Sequence, residues 1–259
     1  MLFRSKELLA CAERHAFDGD RYLRAFCDSG EILGKAGNKE CAVDILSQAF
    51  AWFAHADKAH CRTALDTAKR ELYDPRHRIL KLFSPPFDKG HTAVGYIRGY
   101  PAGLRENGGQ YTHAAVWGAK AFAESGNLET ALDILTGSNP FCRTATRAQA
   151  EHYKSEPYAL CADIYGGALA GRGGWSWYTG SAAWYYKVFL EDILGIRLSA
   201  DNRVLELHPR ISYEATLSYH GKVRIKVTSE TEDTLDGKPA AFPISLSDGE
   251  HLVTAKLRA

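Results

Sequence analysis

The sequence predicts a mainly α-helical fold followed by a small β element, on three observations. Helical periodicity runs from the first residues to about Leu194, a heptapeptide recurs on three of those helices, and alternating β-branched segments begin after Gly195. At 259 residues, 45% hydrophobic and 24% charged, the chain has the makeup of a globular protein long enough to bury its own core.

Residues 3–14 read as the middle of a helix with no N-cap ahead of them, so the chain is expected to start inside a larger fold. Segments 41–54 (CAVDILSQAFAWFA) and 57–72 suggest one helical pair. Segments 112–125 and 128–136 suggest another, joined by a short turn and cap at Gly126-Asn127. Residues 178–194 form a further apolar helix closed by Gly195. Beyond it, 203–208, 214–219, 222–228 and 251–257 carry strand patterning. Turns are expected at His220-Gly221, Asp236-Gly237 and Asp248-Gly249. The expected division is a helical domain over 1–198 and a small antiparallel β element over 199–259.

The recurring heptapeptide is LSQAFAW at 46–52, YTHAAVW at 111–117 and YTGSAAW at 178–184. Each unit holds one helix–loop–helix, and stacked hairpins would bury the Trp and small residues against their neighbours. Three such units make half of a six-hairpin α/α toroid, or a short open solenoid. Chance likeness among Ala-rich helices is the alternative.

Thirty-two Lys and Arg against 31 Asp and Glu leave a formal charge of +1, which argues against a nucleic-acid or anionic-membrane protein. The six cysteines form no CxxC pair and no Cys/His cluster with zinc spacing, so no metal is expected and the thiols read as reduced and mostly buried. The opening MLFRSKELLACAER is broken by charges and reads as neither a signal peptide nor a span, giving a cytoplasmic expectation.

Chemistry is expected where glycine pairs precede helix starts, in RENGGQYTH (105–113) and GRGGWSWYTGS (171–181). A helix N-terminus offers unpaired N–H groups and partial positive charge, to which Thr112, Thr179 and His113 can add donors. Two such ends brought together by the repeat would make a phosphate-sized pocket. Alternatively, the glycines serve close packing and the threonines are caps. The surrounding long loops, 83–110 and 166–177, are rich in aromatics: Tyr96, Tyr100, Tyr111, Tyr153, Tyr158, Trp175, Trp177 and Tyr178. Aromatic faces beside Arg105, Glu106, Asn107, Gln110 and Glu156 suit sugar rings, although half of these aromatics, Trp177 and Tyr178 among them, read as core. The lone His15, His60 and His208 read as surface or structural residues. A glycosidase needs two carboxylates, for which Glu106 and Glu156 are the candidates. A phosphorolytic enzyme needs one acid and an anion site, and the pattern leans that way.

GYIRGYPAGLRENGGQYTHAAVW (95–117), YKSEPYALCADIYGG (153–167) and GRGGWSWYTGSAAW (171–184) closely resemble glycoside hydrolase family 94, and SPPFD (84–88) and LEDILGIRL (190–198) fit as well. That family includes cellobiose, chitobiose and β-1,2-oligoglucan phosphorylases and the phosphorylase-like domain of cyclic β-1,2-glucan synthases. The resemblance implies the second half of an (α/α)6 barrel followed by the β element. It places His113, Thr179 and Gly180 at phosphate-contacting positions. Tyr96, Tyr100 and Arg105 fall at the acceptor-sugar subsite, and Glu106, Gln110 and Glu156 lie near the sugar.

The family's general acid, an aspartate in a WNDGM-like motif, has no counterpart in this sequence, so no catalytic residue is expected in it. The implied function is the C-terminal part of an inverting phosphorylase acting on β-linked gluco-oligosaccharides. Inorganic phosphate is its co-substrate, no other cofactor is implied, and the segment is expected to be inactive alone. The implied partners are oligosaccharide, phosphate and the missing N-terminal half of the barrel, or a second copy of the chain covering the apolar face a half barrel leaves. The alternatives are an inverting hydrolase using Glu106 and Glu156, and a non-catalytic carbohydrate-binding or packing module.

Overall fold

The computed structural model describes residues 2–90, 92–177 and 180–257. Two compact units divide it, residues 1–185 and 186–259. The division by packing thus falls inside the last helix, whereas the sequence reading placed it after Leu198. The reason is that Leu190, Leu194, Ile196 and Leu198 all pack into the core of the second unit.

Among the described residues the helices are α1 (Leu2–Ala16), α2 (Ile45–Phe53), α3 (Lys58–Leu72), α4 (Thr112–Ser125), α5 (Leu128–Ser138), α6 (Pro140–Arg143), α7 (Arg147–Tyr153) and α8 (Gly180–Val188). The expected helix over 41–54 starts four residues late. Residues 43–44 pair instead with 83–84, and Asp44 caps α2 by accepting from Leu46 N at 2.7 Å. Asp57 caps α3 through Ala59 and His60, while Gly126 ends α4 with a left-handed φ of 101°. Asn127 precedes α5 without a side-chain cap bond. After α8, Phe189–Ile193 continue as a π-helical turn, and Gly195 leaves it at φ 71°.

In the first unit α2 packs on α3, α4 on α5, and α2 on α4, so the two predicted hairpins stack through their first helices. Small residues make this close approach: Ala49, Ala114, Ala115 and Ala119 are fully or almost fully buried. Gly118 sits where a Cβ would lie 2.5 Å from Leu80 Cδ2 and 2.9 Å from Ile45 Cγ1. Of the cysteines, Cys41, Cys61 and Cys161 are buried, but Cys11 and Cys142 are exposed, so the expectation of mostly buried thiols holds for only half of them. No helix among the described residues is long and apolar enough to cross a membrane.

The second unit carries two sheets. One is ordered 244–245, 204–207, 196–198, and the other 213–217, 221–228, 249–256, 234–235, 238–239. Alternate residues Val223, Ile225, Val227, Val253 and Ala255 fill its core with Leu205, Leu207 and Ile244. The sheet is not wholly antiparallel as expected, because 221–228 and 249–256 run parallel from Gly221↔Gly249 to Thr228↔Lys256. The chain between them returns through the 234–239 hairpin and strand 244–245, a crossover long enough to restore direction. Asp236 and Gly237, at φ 52° and 76°, make the two-residue turn expected of them. Asp248-Gly249 instead opens a strand.

Helix propensity alone favours Ala over Gly by about 1 kcal/mol. In Gly118→Ala the fully buried Leu80 and Ile45 reverse that sign, and the variant loses about 1–2 kcal/mol of stability in urea denaturation.

Candidate functional site

The long loops of the first unit converge on a buried carboxylate. Residues 110–111 pair antiparallel with 163–164, and Thr112 N donates to Ala162 O at 2.9 Å. On the other side of 161–165 lies the 171–175 segment, through Ala162 N to Trp175 O and Gly174 N to Asp163 O. Asp163 is 1% exposed; its Oδ2 accepts from Arg105 N at 3.2 Å and its Oδ1 from Trp175 N at 3.1 Å. A Cβ on Gly174 would overlap that carboxylate, so this position requires glycine. Burial pushes the Asp163 carboxyl above its ordinary range, opposed by the Trp175 N–H and the Arg105 charge.

The clamp sets Arg105 against aromatic faces. Its guanidinium carbon lies 3.4 Å from the Trp175 ring centroid and 5.5 Å from that of Tyr100. Tyr100 in turn meets Tyr96 edge to face at 6.0 Å. Trp175 and Tyr96 are largely exposed, which leaves an aromatic wall open to solvent. Beside it an open cleft of about 620 Å³ is bordered by Ser155, Glu156, Gly174, Trp175 and Ser176. Ser176 and Ser155 hold the Glu156 carboxyl below its usual range. Trp177, read from sequence as core, is instead 65% exposed and meets Tyr158 at 5.8 Å. Its backbone lies in the left-handed region, at φ 63°.

The loop before α4 runs from Arg105 to a second cluster at the helix starts. His113, in the first turn of α4, lies tilted against Trp117 at 4.3 Å, and Trp117 meets Trp184 of α8 edge to face at 5.7 Å. A Cβ on Gly180 would stand 3.7 Å from His113 Cε1 and Nδ1, so the starts of α4 and α8 meet here. Burial lowers the His113 pKa, favouring neutral imidazole. Thr179 and Tyr178 lie outside the described residues.

Five buried side-chain polar atoms among the described residues have no hydrogen-bond partner, and four belong to this region: Glu106 Oε2, Thr112 Oγ1, His113 Nε2 and Ser181 Oγ. Native proteins leave few such groups, and each asks for an explanation.

Two predicted polar residues serve the scaffold. Gln110 is fully buried; its Oε1 accepts from Leu80 N at 2.8 Å and its Nε2 donates to Ser138 Oγ at 3.1 Å. Asn107, also fully buried, accepts from Phe87 N and donates to Phe87 O and Tyr100 O, which ties the SPPFD loop to the tyrosine segment. Neither side chain is free to reach a sugar. Glu40, which sequence reasoning missed, pins the same loop. Its Oε1 accepts from the N–H groups of Asp88, Lys89 and Gly90, and Arg98 pairs with both its oxygens. Those bonds, Arg98 first, pull the Glu40 carboxyl down to about 2. Asp163 was also missed, although a lone carboxylate amid LCADIY was the available signal. His60, read as a surface or structural residue, bonds Glu13 at 2.8 Å and stacks on Phe17; His208 likewise meets Glu206 at 2.7 Å.

A sequence profile of the glycosyl hydrolase 94 superfamily catalytic domain matches residues 3–195, and the chain belongs to that superfamily. It is 43% identical over 233 residues to cyclic beta-(1,2)-glucan synthase NdvB of Rhizobium meliloti (strain 1021), an overlap of 88% of this chain and 8% of the relative. It is 28% identical over 204 residues to solabiose phosphorylase of Paenibacillus borealis, covering 74% of this chain and 26% of that protein. With N,N'-diacetylchitobiose phosphorylase of Vibrio furnissii the identity is 26% over 257 residues, 89% of this chain and 31% of the relative. The chain therefore spans less than a third of the length of each of these relatives.

Asp163→Asn places an NH₂ against one of the two N–H donors and is expected to cost about 1–3 kcal/mol in chemical denaturation. An unchanged midpoint would show that the clamp does not form in solution. The Glu40 carboxyl lies near 2 in the folded chain against an ordinary 4.5, so its contribution is complete above pH 4.5 and is lost as pH falls toward 2. Glu40→Gln is therefore less stable than the parent at pH 7, and the gap closes through that acid window.

Proposed function

We propose that this chain is the C-terminal part of an inverting glycoside phosphorylase domain that cleaves β-linked gluco-oligosaccharides with inorganic phosphate. What carries the reading is the set of orphaned buried polar atoms, Thr112 Oγ1, His113 Nε2 and Ser181 Oγ, around two adjoining helix starts. Hydroxyl and imidazole donors at such ends are the groups a phosphate oxyanion needs. Neutral His113 donates a hydrogen bond and gains charge when the dianion arrives. Gly180, at the α8 start, and Thr179 before it in sequence are the other residues assigned to phosphate.

In this mechanism the phosphate held there attacks the anomeric carbon from the face opposite the glycosidic bond. The C1–O bond breaks, its electron pair stays on the leaving sugar oxygen, and that oxygen takes a proton. Inversion turns a β-glucoside into an α-sugar 1-phosphate. Tyr96, Tyr100, Arg105 and Trp175 face the acceptor sugar, stacking on its C–H surface, while Glu106 and Glu156 accept from its hydroxyls. The proton donor and the remaining hairpins of an (α/α)6 barrel belong to portions of the catalytic domain outside this sequence, in keeping with the short share of each relative that it matches. Helices α2, α4 and α8, which carry the heptapeptide, would be three of the barrel's inner helices. Their half-exposed aromatics Phe50, Trp117 and Trp184 would meet those hairpins, or a second copy of the chain when it is isolated.

Thermal unfolding of the purified chain, titrated with phosphate beside His113→Ala, tests the anion assignment. At 100 times its dissociation constant phosphate at this site stabilises the parent by about 2.7 kcal/mol, a contribution that His113→Ala loses. A cooperatively folded parent that ignores phosphate would contradict the assignment.

A further inference from the structure

A cavity of about 550 Å³ lies between the 76–78 turn, the end of α5 and helices α6 and α7, sharing no lining residue with the His113 cluster. Its charged and polar walls are Arg76, His77, Arg78, Arg143, Gln149 and His152, and none of its lining residues is a carboxylate. Two cations there, Arg76 and Arg143, have no ion pair among the described residues; Arg78 is paired with Asp133 and His77 with Asp74.

Arg143 is held in a fixed orientation. Its Nε donates to Gly137 O at 2.5 Å, and its Nη2 to His77 O at 2.6 Å and Arg78 O at 3.2 Å. Three carbonyls thus pin one edge of the guanidinium and leave Nη1 without a partner among the described residues. That free edge faces Gly171, where a Cβ would stand 3.5 Å from Arg143 Nη1 and 2.9 Å from His152 Nε2. His152 Nε2 is spent as a donor to Ala170 O at 2.9 Å, so Arg143 Nη1 is the nitrogen left open beside this glycine. Nη1, already oriented and uncompensated by a carboxylate, offers charge-assisted N–H donors to a phosphate oxygen, with Arg76 as a second unpaired cation in the same wall.

We propose that this cavity binds a phosphate group, free or carried on a small ester, at a site separate from the helix starts. The volume exceeds a phosphate ion and matches a small-molecule pocket. Thr136 and Gln149 would then be placed for the hydroxyls of the rest of an ester.

Calorimetric titration of the chain with inorganic phosphate and with glucose 1-phosphate tests this, in the His113→Ala background so that the first site is silent. The informative second change is Gln149→Glu. Gln149 closes the capping box of α7 with Thr146, a role Glu fills equally well, so the helix is kept while a carboxylate enters the cavity. We expect His113→Ala to retain one phosphate site, weakened at least about tenfold by Gln149→Glu. Tighter binding of glucose 1-phosphate would assign the ester, and equal binding the free ion. Loss of all phosphate binding in His113→Ala, or indifference to Gln149→Glu, would overturn the proposal. If phosphate binding in the parent is untouched by His113→Ala, the helix-start reading fails, and the cavity is still judged by Gln149→Glu.

Discussion

A carboxylate buried without an ion pair is costly unless hydrogen bonds satisfy it, and Asp163 is satisfied by two main-chain N–H groups from different loops. The arrangement couples everything around it. Arg105 and Trp175 are drawn to opposite oxygens, which brings the guanidinium onto the indole face. Removing the carboxylate would free both loops at once and leave two buried donors unsatisfied. Because 163–164 also pair with 110–111, the clamp sets where α4 begins and hence where His113 stands.

Around this centre the scaffold uses polar side chains as rivets between loops. Glu40 holds the 88–90 turn, Asn107 the 87 and 100 main chain, and Gln110 the entry to the 79–80 strand. Their shared logic is that long loops cannot be buried with open backbone groups, so side-chain amides and carboxylates complete the bonding that a sheet would supply. Four of the five buried side-chain polar atoms left unsatisfied among the described residues gather at 106, 112, 113 and 181. Satisfied surroundings with a few open hydroxyl and imidazole groups are the preorganisation that the proposed phosphate site would use.

The helices were legible because 3.6-residue periodicity and capping are local signals: 112–125 is recovered residue for residue, and 57–72 to within its cap at Asp57. Strand pairing is not local. The parallel pairing of 221–228 with 249–256 depends on a route through three intervening strands, so Asp248-Gly249 resembled a hairpin turn in sequence. At the site, the meeting of His113 with Gly180 followed from the recurring heptapeptide. Roles of individual polar residues did not follow. Gln110 and Asn107 have the composition of a sugar site, yet their bonds are spent on residues 80, 87, 100 and 138, distant in sequence. Asp163 was overlooked for the converse reason, because an acidic residue in an apolar run gives no hint of which amides it will meet.

Amide hydrogen exchange at Arg105 and Trp175 tests this organisation most directly. Both amides lie in loops, where unclamped backbone exchanges quickly, but here each donates to a buried carboxylate. The account predicts that they exchange together, as slowly as the core amides of α4. Fast exchange at either position, at the rate of the exposed Ala145 between α6 and α7, would contradict it.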